Sequence, residues 1–536
     1  MDTAPRDDPR TPLGKGQIRL LELRPGKGKE QIQCYIHVET LDDCPSYEAL
    51  SYTWGTRCED DPKIKLNEYE IQVRKNLYTA LESLRYPPQT DTTISKDHGA
   101  FIDVNNKGDG VEIKNPSDLL RETRGKSRYL WADAICIKQD GPEEKVHQIQ
   151  LMGDIYRKSS KGIVWLGEPT NLTERAFMAA YWLCRVSYHQ ESLENGLKIS
   201  KNDHGDLESG QRKPSFITMA RLDDVGVKWT ICQCWKELMA LTKREWFSRA
   251  WVVQEATLSK NVFVCGNYSI PWSELLRALN FASAIPIRPL AGVSLPSHMV
   301  VIEKLRRELD GRSSFLDILL RNSNCDATVL VDRIYAFCGL VDQSELQALG
   351  LQSAEYGEQD SSWDEEMKKQ KSEAVYRGLC KKVAVNLLRT SKNLNLLSGP
   401  VGNPEGRSDW LSWIPDWVAR HRPGCLLPDQ PSFRASGGAR TVGDIEFRDQ
   451  DSTLGLEGFV FDSIEEMSDI ADRGPPTTWT FLQYEQYKKR MEDMVEFLQR
   501  CLEWEAITNA RSKTSYVGGG DSLDAYWQTV LGGHVT

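Results

Sequence analysis

The chain has 536 residues, more than one ordinary core holds, so two or three domains are expected. Hydrophobic residues at 40% and charged residues at 27% describe a folded globular protein and exclude a disordered one. A formal net charge of −10 without a long basic stripe argues against nucleic acid or an anionic membrane as partner, and no apolar run is long enough to span a membrane.

Residues 1–16 read as a disordered lead without the apolar core of a secretory signal. Residues 18–23 and 32–38 are β-rich and flank Pro25-Gly26, which predicts a hairpin. A short strand over 49–53 ends at Trp54-Gly55. Residues 64–66 and 70–73 predict a second small hairpin, and 76–84 have helical spacing (Leu77, Ala80, Leu81, Leu84). A polar stretch near 87–126 reads as a surface insertion. Residues 129–137 form a nearly continuous apolar run, as a buried parallel strand would. Asp140 is an N-cap candidate, with Pro142 and two acids in the first turn that follows. Val146, Ile149, Met152, Ile155 and Tyr156 then form one helical stripe, and 162–166 read as a second buried strand. That is a β-α-β unit, so a parallel sheet with right-handed crossovers is expected.

Further on, 174–187, 228–241, 248–257 and 272–281 read as helices, 190–226 as a second polar insertion and 262–265 as a third buried strand. Beyond 290 the alternation fades. Helices are expected over 300–319, over 332–340 (closed by Gly339), over 372–388 and over 484–504. Residues 344–366 read as an acidic linker, 410–417 as a loop-like aromatic segment and 453–464 as a small β element. Trp410, Trp413 and Trp417 read as core filling. The 13 cysteines are odd in number and scattered, several in apolar runs (Cys136, Cys265, Cys338), and read as reduced cytosolic thiols. Cys232 and Cys234 are the one close pair, and the histidines lack ligand spacing, so no metal site is predicted.

The chemistry centres on Glu255. It lies in Trp246-Phe-Ser-Arg-Ala-Trp-Val-Val-Gln-Glu-Ala256, an aromatic and largely apolar run that reads as a buried helix, with Trp251 one turn earlier on the same face. A carboxylate there is either paired or functional. The pairing alternative has Glu255 bound to Arg249, Arg244 or Lys260 and merely ordering the helix. The functional alternative has it stabilising a ribosyl cation. The N-glycosidic pyridinium of NAD leaves as neutral nicotinamide, so one carboxylate suffices where ordinary glycosidases need two. Ligands of doubly wound sheets bind beyond the carboxyl ends of strands. That singles out Ser51, Tyr52 and Trp54 after the first strand, Lys138, Gln139 and Asp140 after the second, and Gly167 and Glu168 after the third, to hold ribose hydroxyls or stack on a base. Turn and cap chemistry explains the same residue types. Asp133, inside its apolar run, is either bonded to backbone or near the site. Phosphate-loop, dinucleotide-fingerprint and nucleophile-elbow motifs are absent.

Tyr47-Glu-Ala-Leu-Ser-Tyr-Thr-Trp-Gly55, Leu130-Trp-Ala-Asp-Ala-Ile-Cys-Ile-Lys-Gln-Asp140, Gln150-Leu-Met-Gly-Asp-Ile-Tyr156, Val164-Trp-Leu-Gly167 and the Trp246–Glu255 segment stand in order over roughly 47–268. This series resembles the fungal heterokaryon-incompatibility (HET) domain family. Asp332-Arg-Ile-Tyr-Ala-Phe-Cys-Gly-Leu340 and Trp413-Ile-Pro-Asp-Trp417 resemble the tails of such proteins, while Lys138-Gln139 replaces the usual Asn-Gln. The resemblance implies non-self recognition after hyphal fusion, ending in programmed cell death. HET domains are similar to TIR domains, whose enzymatic members cleave NAD with a glutamate on a Trp-containing helix, and Trp251-Val-Val-Gln-Glu255 looks similar to that helix. The expectations are therefore a flavodoxin-like, TIR-like parallel sheet with flanking helices over 17–285, followed by a mainly helical region with a small β element over 286–536. Glu255 is expected to be catalytic, with Ser51, Tyr52, Trp54, Asp133, Gln139, Asp140 and Trp251 binding substrate. The expected substrate is NAD, with no resident cofactor. Expected partners are a second copy of the chain or an incompatibility protein, in the cytoplasm. The rival expectation is a non-enzymatic module that signals by self-association or partner binding.

Overall fold

A computed structural model describes residues 11–26, 28, 30–85, 127–181, 183–184, 187, 238–284, 296–308, 313–357, 363–391, 394–400, 410–419 and 445–456. The two predicted insertions, Cys232 and Cys234, the helix at 484–504 and the second half of the β element at 453–464 lie outside these residues. The chain divides into two units, Met1–Asp310 with Ala336–Leu340, and Gly311–Tyr335 with Val341–Thr536.

The first unit is built on a nine-stranded sheet: β1 (Gln17–Leu23), β2 (Gln33–Thr40), β3 (Glu48–Tyr52), β4 (Lys63–Leu66), β5 (Tyr69–Gln72), β6 (Arg128–Trp131), β7 (Lys161–Trp165), β8 (Asn261–Cys265) and β9 (Tyr268–Pro271). Its order is β5-β4-β2-β1-β6-β3-β7-β8-β9. At its centre β6, β3, β7 and β8 run parallel, in chain order second, first, third, fourth. These strands are apolar because both faces are covered: Leu50, Ile163, Val164, Phe263 and Val264 are fully buried. The sheet as a whole is mixed, not parallel. The β1–β2 hairpin joins it antiparallel at β6, and β9 turns back on β8. Helix α1 (Lys75–Arg85) follows the β4–β5 hairpin, and helix α3 (Pro142–Lys158) carries the chain from β6 across β3 to β7.

One buried charge holds the first hairpin to this crossover. Arg19 of β1 is 1% exposed and donates to Glu144 of α3, to the Cys136 carbonyl and to the Thr11 carbonyl, at 2.5–3.1 Å. Removing one member of a buried pair strands the other. Arg19→Met is therefore expected to cost about 3 kcal/mol, read as a lower midpoint in thermal unfolding.

The apolar run at 129–137 is not one strand. It stops at Trp131 and coils into a single turn, α2 (Asp133–Cys136), held by Cys136 N–H to the Ala132 carbonyl at 2.8 Å. A short apolar run cannot by itself separate a buried strand from a buried turn. Asp140 does not cap α3. Gly141 occupies that position without a side-chain cap, and Asp140 is exposed. The run at 248–257 also divides, into a 3-10 turn (Glu245–Ser248), an extended Arg249, and helix α5 (Trp251–Leu258); residues 173–181 form the helix α4 before it. Helices α6 (Trp272–Ala284) and α7 (Ser297–Arg307) complete the unit.

The second unit starts with helix α8 (Phe315–Asn322), so 300–319 is two helices; Ser314 and Asp317 form a capping box that begins the second. The segment at 332–340 is likewise split, into a turn of helix α9 (Asp332–Tyr335) and a 3-10 turn (Cys338–Leu340) that belongs to the first unit. The predicted linker holds helix α10 (Gln343–Leu349), capped by Asp342 and ended by Gly350 at φ +70°. The long α11 (Glu365–Ser391) and a hairpin of β10 (Ile445–Arg448) and β11 (Thr453–Leu456) follow. Arg333 joins two of the sequence motifs by donating to the carbonyls of Cys325 at 2.5 Å and Trp417 at 3.2 Å. Asp416, 3% exposed, accepts from the Tyr376 hydroxyl at 3.2 Å, and Trp417 is buried.

Candidate functional site

Four segments meet at the carboxyl ends of β6, β3 and β7. Ser51 and Tyr52 are successive on β3, so their side chains leave opposite faces of the sheet. Ser51 meets Glu255, and Tyr52 faces Asp133. Trp54 follows in the turn after β3, which Asn76 of α1 fixes by donating to the Thr53 hydroxyl at 3.1 Å.

Glu255 is 5% exposed and Ser51 1%. The Trp246 indole donates to the Ser51 oxygen at 2.8 Å, and the Ser51 hydroxyl donates to Glu255. An indole N–H can only donate, so it directs the serine hydrogen toward the carboxyl group. Tyr156 of α3 faces Glu255 from another side, and its hydroxyl donates to the Leu50 carbonyl at 3.1 Å. Burial pushes the Glu255 carboxyl up to about 7. The Arg249 charge and the Ser51 hydrogen bond pull against that shift, and the Asp133 charge adds to it.

Asp133 accepts from the Trp54 indole and from the Ala134 N–H, each at 2.8 Å. Burial raises its carboxyl too, with Arg249 opposing. Burial likewise lifts the Tyr52 and Tyr156 hydroxyls well above the usual phenol range. Arg74 lies over the Trp54 ring at 4.9 Å and donates to the Gly55 carbonyl at 2.7 Å, so the indole is held by its edge and by one face. The arrangement is two carboxyl groups sharing one arginine in an aromatic, largely dry setting. A carboxyl poised near neutrality can change its charge at working pH.

Arg249 acts on Glu255 by its charge, without a direct ion pair. Arg249 donates to the Tyr52 carbonyl, and Arg244 to the carbonyls of Leu166 and Glu168. Among the described residues none of the three candidate cations makes an ion pair with Glu255. Asp133 is not mid-strand as expected, since it opens the turn after β6, and that places its carboxyl at the sheet end. Gln139 is exposed and donates to the carbonyls of Asp133 at 2.9 Å and Ile137 at 3.2 Å, which is turn chemistry. Asp140 is exposed. Trp251 is half-buried and packs against the hydrophobic core. Trp246, Tyr156 and Arg249 were missed as site residues. The one local hint was that Trp246 and Arg249 share a motif with Glu255. Among the described residues no cluster of histidine, cysteine and acidic side chains is arranged to hold a metal, and every cysteine is a free thiol. No described helix is long and apolar enough to cross a membrane.

Comparison with known proteins finds similarity at the level of sequence. Residues 87–255 match the profile of "Heterokaryon incompatibility protein (HET)", a match that ends on Glu255. The chain is 24% identical to "Heterokaryon incompatibility protein 6, OR allele" of Neurospora crassa, over 99% of this chain and 75% of that one. No solved structure matches the chain. The sequence similarity is thus to heterokaryon incompatibility proteins, with the HET profile matched over residues 87–255.

Proposed function

We propose that the chain acts in heterokaryon incompatibility as an effector or regulator of cell death, and that its HET domain hydrolyses the nicotinamide–ribose bond of NAD. The observation behind this reading is Glu255: a buried carboxyl near neutrality, held by Ser51 at the end of β3. The central strand order, second-first-third-fourth, is that of doubly wound flavodoxin-like sheets and supports a TIR-like site at its switch point, beyond β3. In the proposed reaction the N-glycosidic bond breaks with its electron pair passing to the pyridinium nitrogen, and nicotinamide leaves neutral. Water adds at the ribose carbon and releases a proton. Ionised Glu255 stabilises the ribosyl cation between those events, while Trp54 and Tyr52 shape the pocket. The cytoplasm, where free thiols persist, is the proposed compartment.

A second reading is favoured by the same closure. With Ser51 and Glu255 so little exposed, the domain can instead signal by self-association or by binding an incompatibility partner. NAD consumption by the purified full chain, scored beside expression toxicity, separates the two. Loss of both in Glu255→Ala supports hydrolysis. Toxicity that survives with no NAD loss in either protein supports binding. Within the hydrolase reading, Ser51→Ala removes a hydrogen bond that favours ionised Glu255. Its pH–rate profile is therefore expected to shift to higher pH, with turnover at neutrality falling about tenfold.

A further inference from the structure

The five residues Ala336–Leu340 belong to the first unit, although the chain on both sides of them belongs to the second. Ala336 and Phe337 are buried, and Leu340 packs against the sheet core. At the centre of the segment Gly339 does not end a helix, as its sequence position suggested. It meets backbone. A β-carbon on Gly339 would lie 2.9 Å from the Gly153 α-carbon and 2.4 Å from Gln254 Oε1, and one on Gly153 would lie 2.9 Å from the Gly339 α-carbon. Only two glycines allow α3 and the segment to approach so closely. The Gly339 N–H donates to Gln254 Oε1 at 2.7 Å, and Arg157 donates to the Gly339 carbonyl at 3.1 Å. Gln254 precedes Glu255 on α5, and Gly153 lies one turn before Tyr156 on α3. The segment thus ties together the two helices whose other faces enclose Glu255.

We propose that Ala336–Leu340 is a latch that clamps α3 to α5 and keeps Glu255 shut away from water and substrate, with Gln254, Gly153 and Gly339 as its positioning residues. Its regulatory meaning rests on the NAD reading, because only a working Glu255 needs to be shut. Both flanks of the latch lie in the second unit, so a rearrangement there pulls directly on it. Releasing it lets water reach the carboxyl group.

The test is made in the full chain and reads the ionisation of Glu255 without requiring turnover. The thermal midpoint of the first unit is measured from pH 4 to 9 for Glu255 and Glu255→Gln, each with the latch intact, with Gln254→Leu and with Gly339→Ala. With the latch intact, the gap between the glutamate and glutamine forms opens above about pH 4.5 and levels off near pH 7. In latch variants the pH at which the gap levels off is expected to fall by about one unit or more as the group hydrates, and any NAD turnover at neutral pH is expected to rise. An unmoved levelling-off pH beside a uniform loss of stability overturns the latch. Should Gly339→Ala fail to fold, Gln254→Leu, which removes the acceptor of the Gly339 N–H, decides the matter. Absence of NAD turnover in every form counts against the hydrolase reading and leaves the midpoint test of the latch intact.

Discussion

Glu255→Gln is expected to give a protein that is more stable above neutral pH and, under the proposed NAD hydrolysis, inactive. The sign follows from proton linkage. Burial raises the Glu255 carboxyl from 4.5 to about 7 in the fold. Between those values the folded chain holds a proton that the unfolded chain has released, so wild-type stability falls as pH rises through this window and levels off above it. Glutamine cannot ionise and retains an acceptor for the Ser51 hydroxyl. The variant should match wild type near pH 4 and exceed it at pH 8 by on the order of 3 kcal/mol. That corresponds to roughly 5 °C or more in the melting of the first unit. If the residue serves only to order its helix, its removal destabilises at every pH. Turnover should fall at least about 100-fold, the usual scale for losing a group aimed at developing charge. In the wild type, the proposed hydrolysis predicts turnover that rises with pH through about 7, because it uses the carboxylate form. Opposite signs for stability and activity mark a site whose strain serves function. Calorimetry across pH together with NAD consumption checks both.

Arg306→Ala is expected to lower stability by about 3 kcal/mol and to loosen the helix that bears Glu255. Arg306, in the last turn of α7, donates to the Ala256 carbonyl at 3.1 and 2.5 Å and to the Ser259 carbonyl at 3.1 Å. Those carbonyls close α5, whose C-terminal end favours a cation. The guanidinium also lies over Trp272 at 4.4 Å. Burial lowers the pKa of Arg306 to about 10, which still leaves it charged at neutral pH. Arg306→Lys should recover little, because a point charge cannot reproduce the fork or the stacking. Arg307→Ala, on an exposed neighbour, should change stability by less than about 0.5 kcal/mol. Thermal unfolding of the three variants, with hydrogen exchange over residues 251–258, measures the effect.

The sequence by itself determined the elements whose residues are buried on a simple period. Strands β3, β7 and β8 and helices α1 and α3 stand close to where their apolar patterns put them, because a strand covered on both faces and a helix with one dry stripe leave local signatures. It also singled out Glu255, since an acid within an aromatic run conflicts with its surroundings and such conflicts mark sites. Only the tertiary structure decided what Glu255 meets. Ser51 lies 204 positions away and Trp246 lies 195 positions from Ser51, so no local period connects them. Arg249 and Gln254 both precede Glu255 closely in sequence, yet one turns to the Tyr52 carbonyl and the other to Gly339. Asp133 was placed in a strand because apolar neighbours suit a strand and a buried turn equally. Gly339 was read as a helix end because a glycine's local use, a left-handed turn, is visible in sequence, whereas its long-range use, letting two backbones touch, depends on a partner glycine far away in the chain.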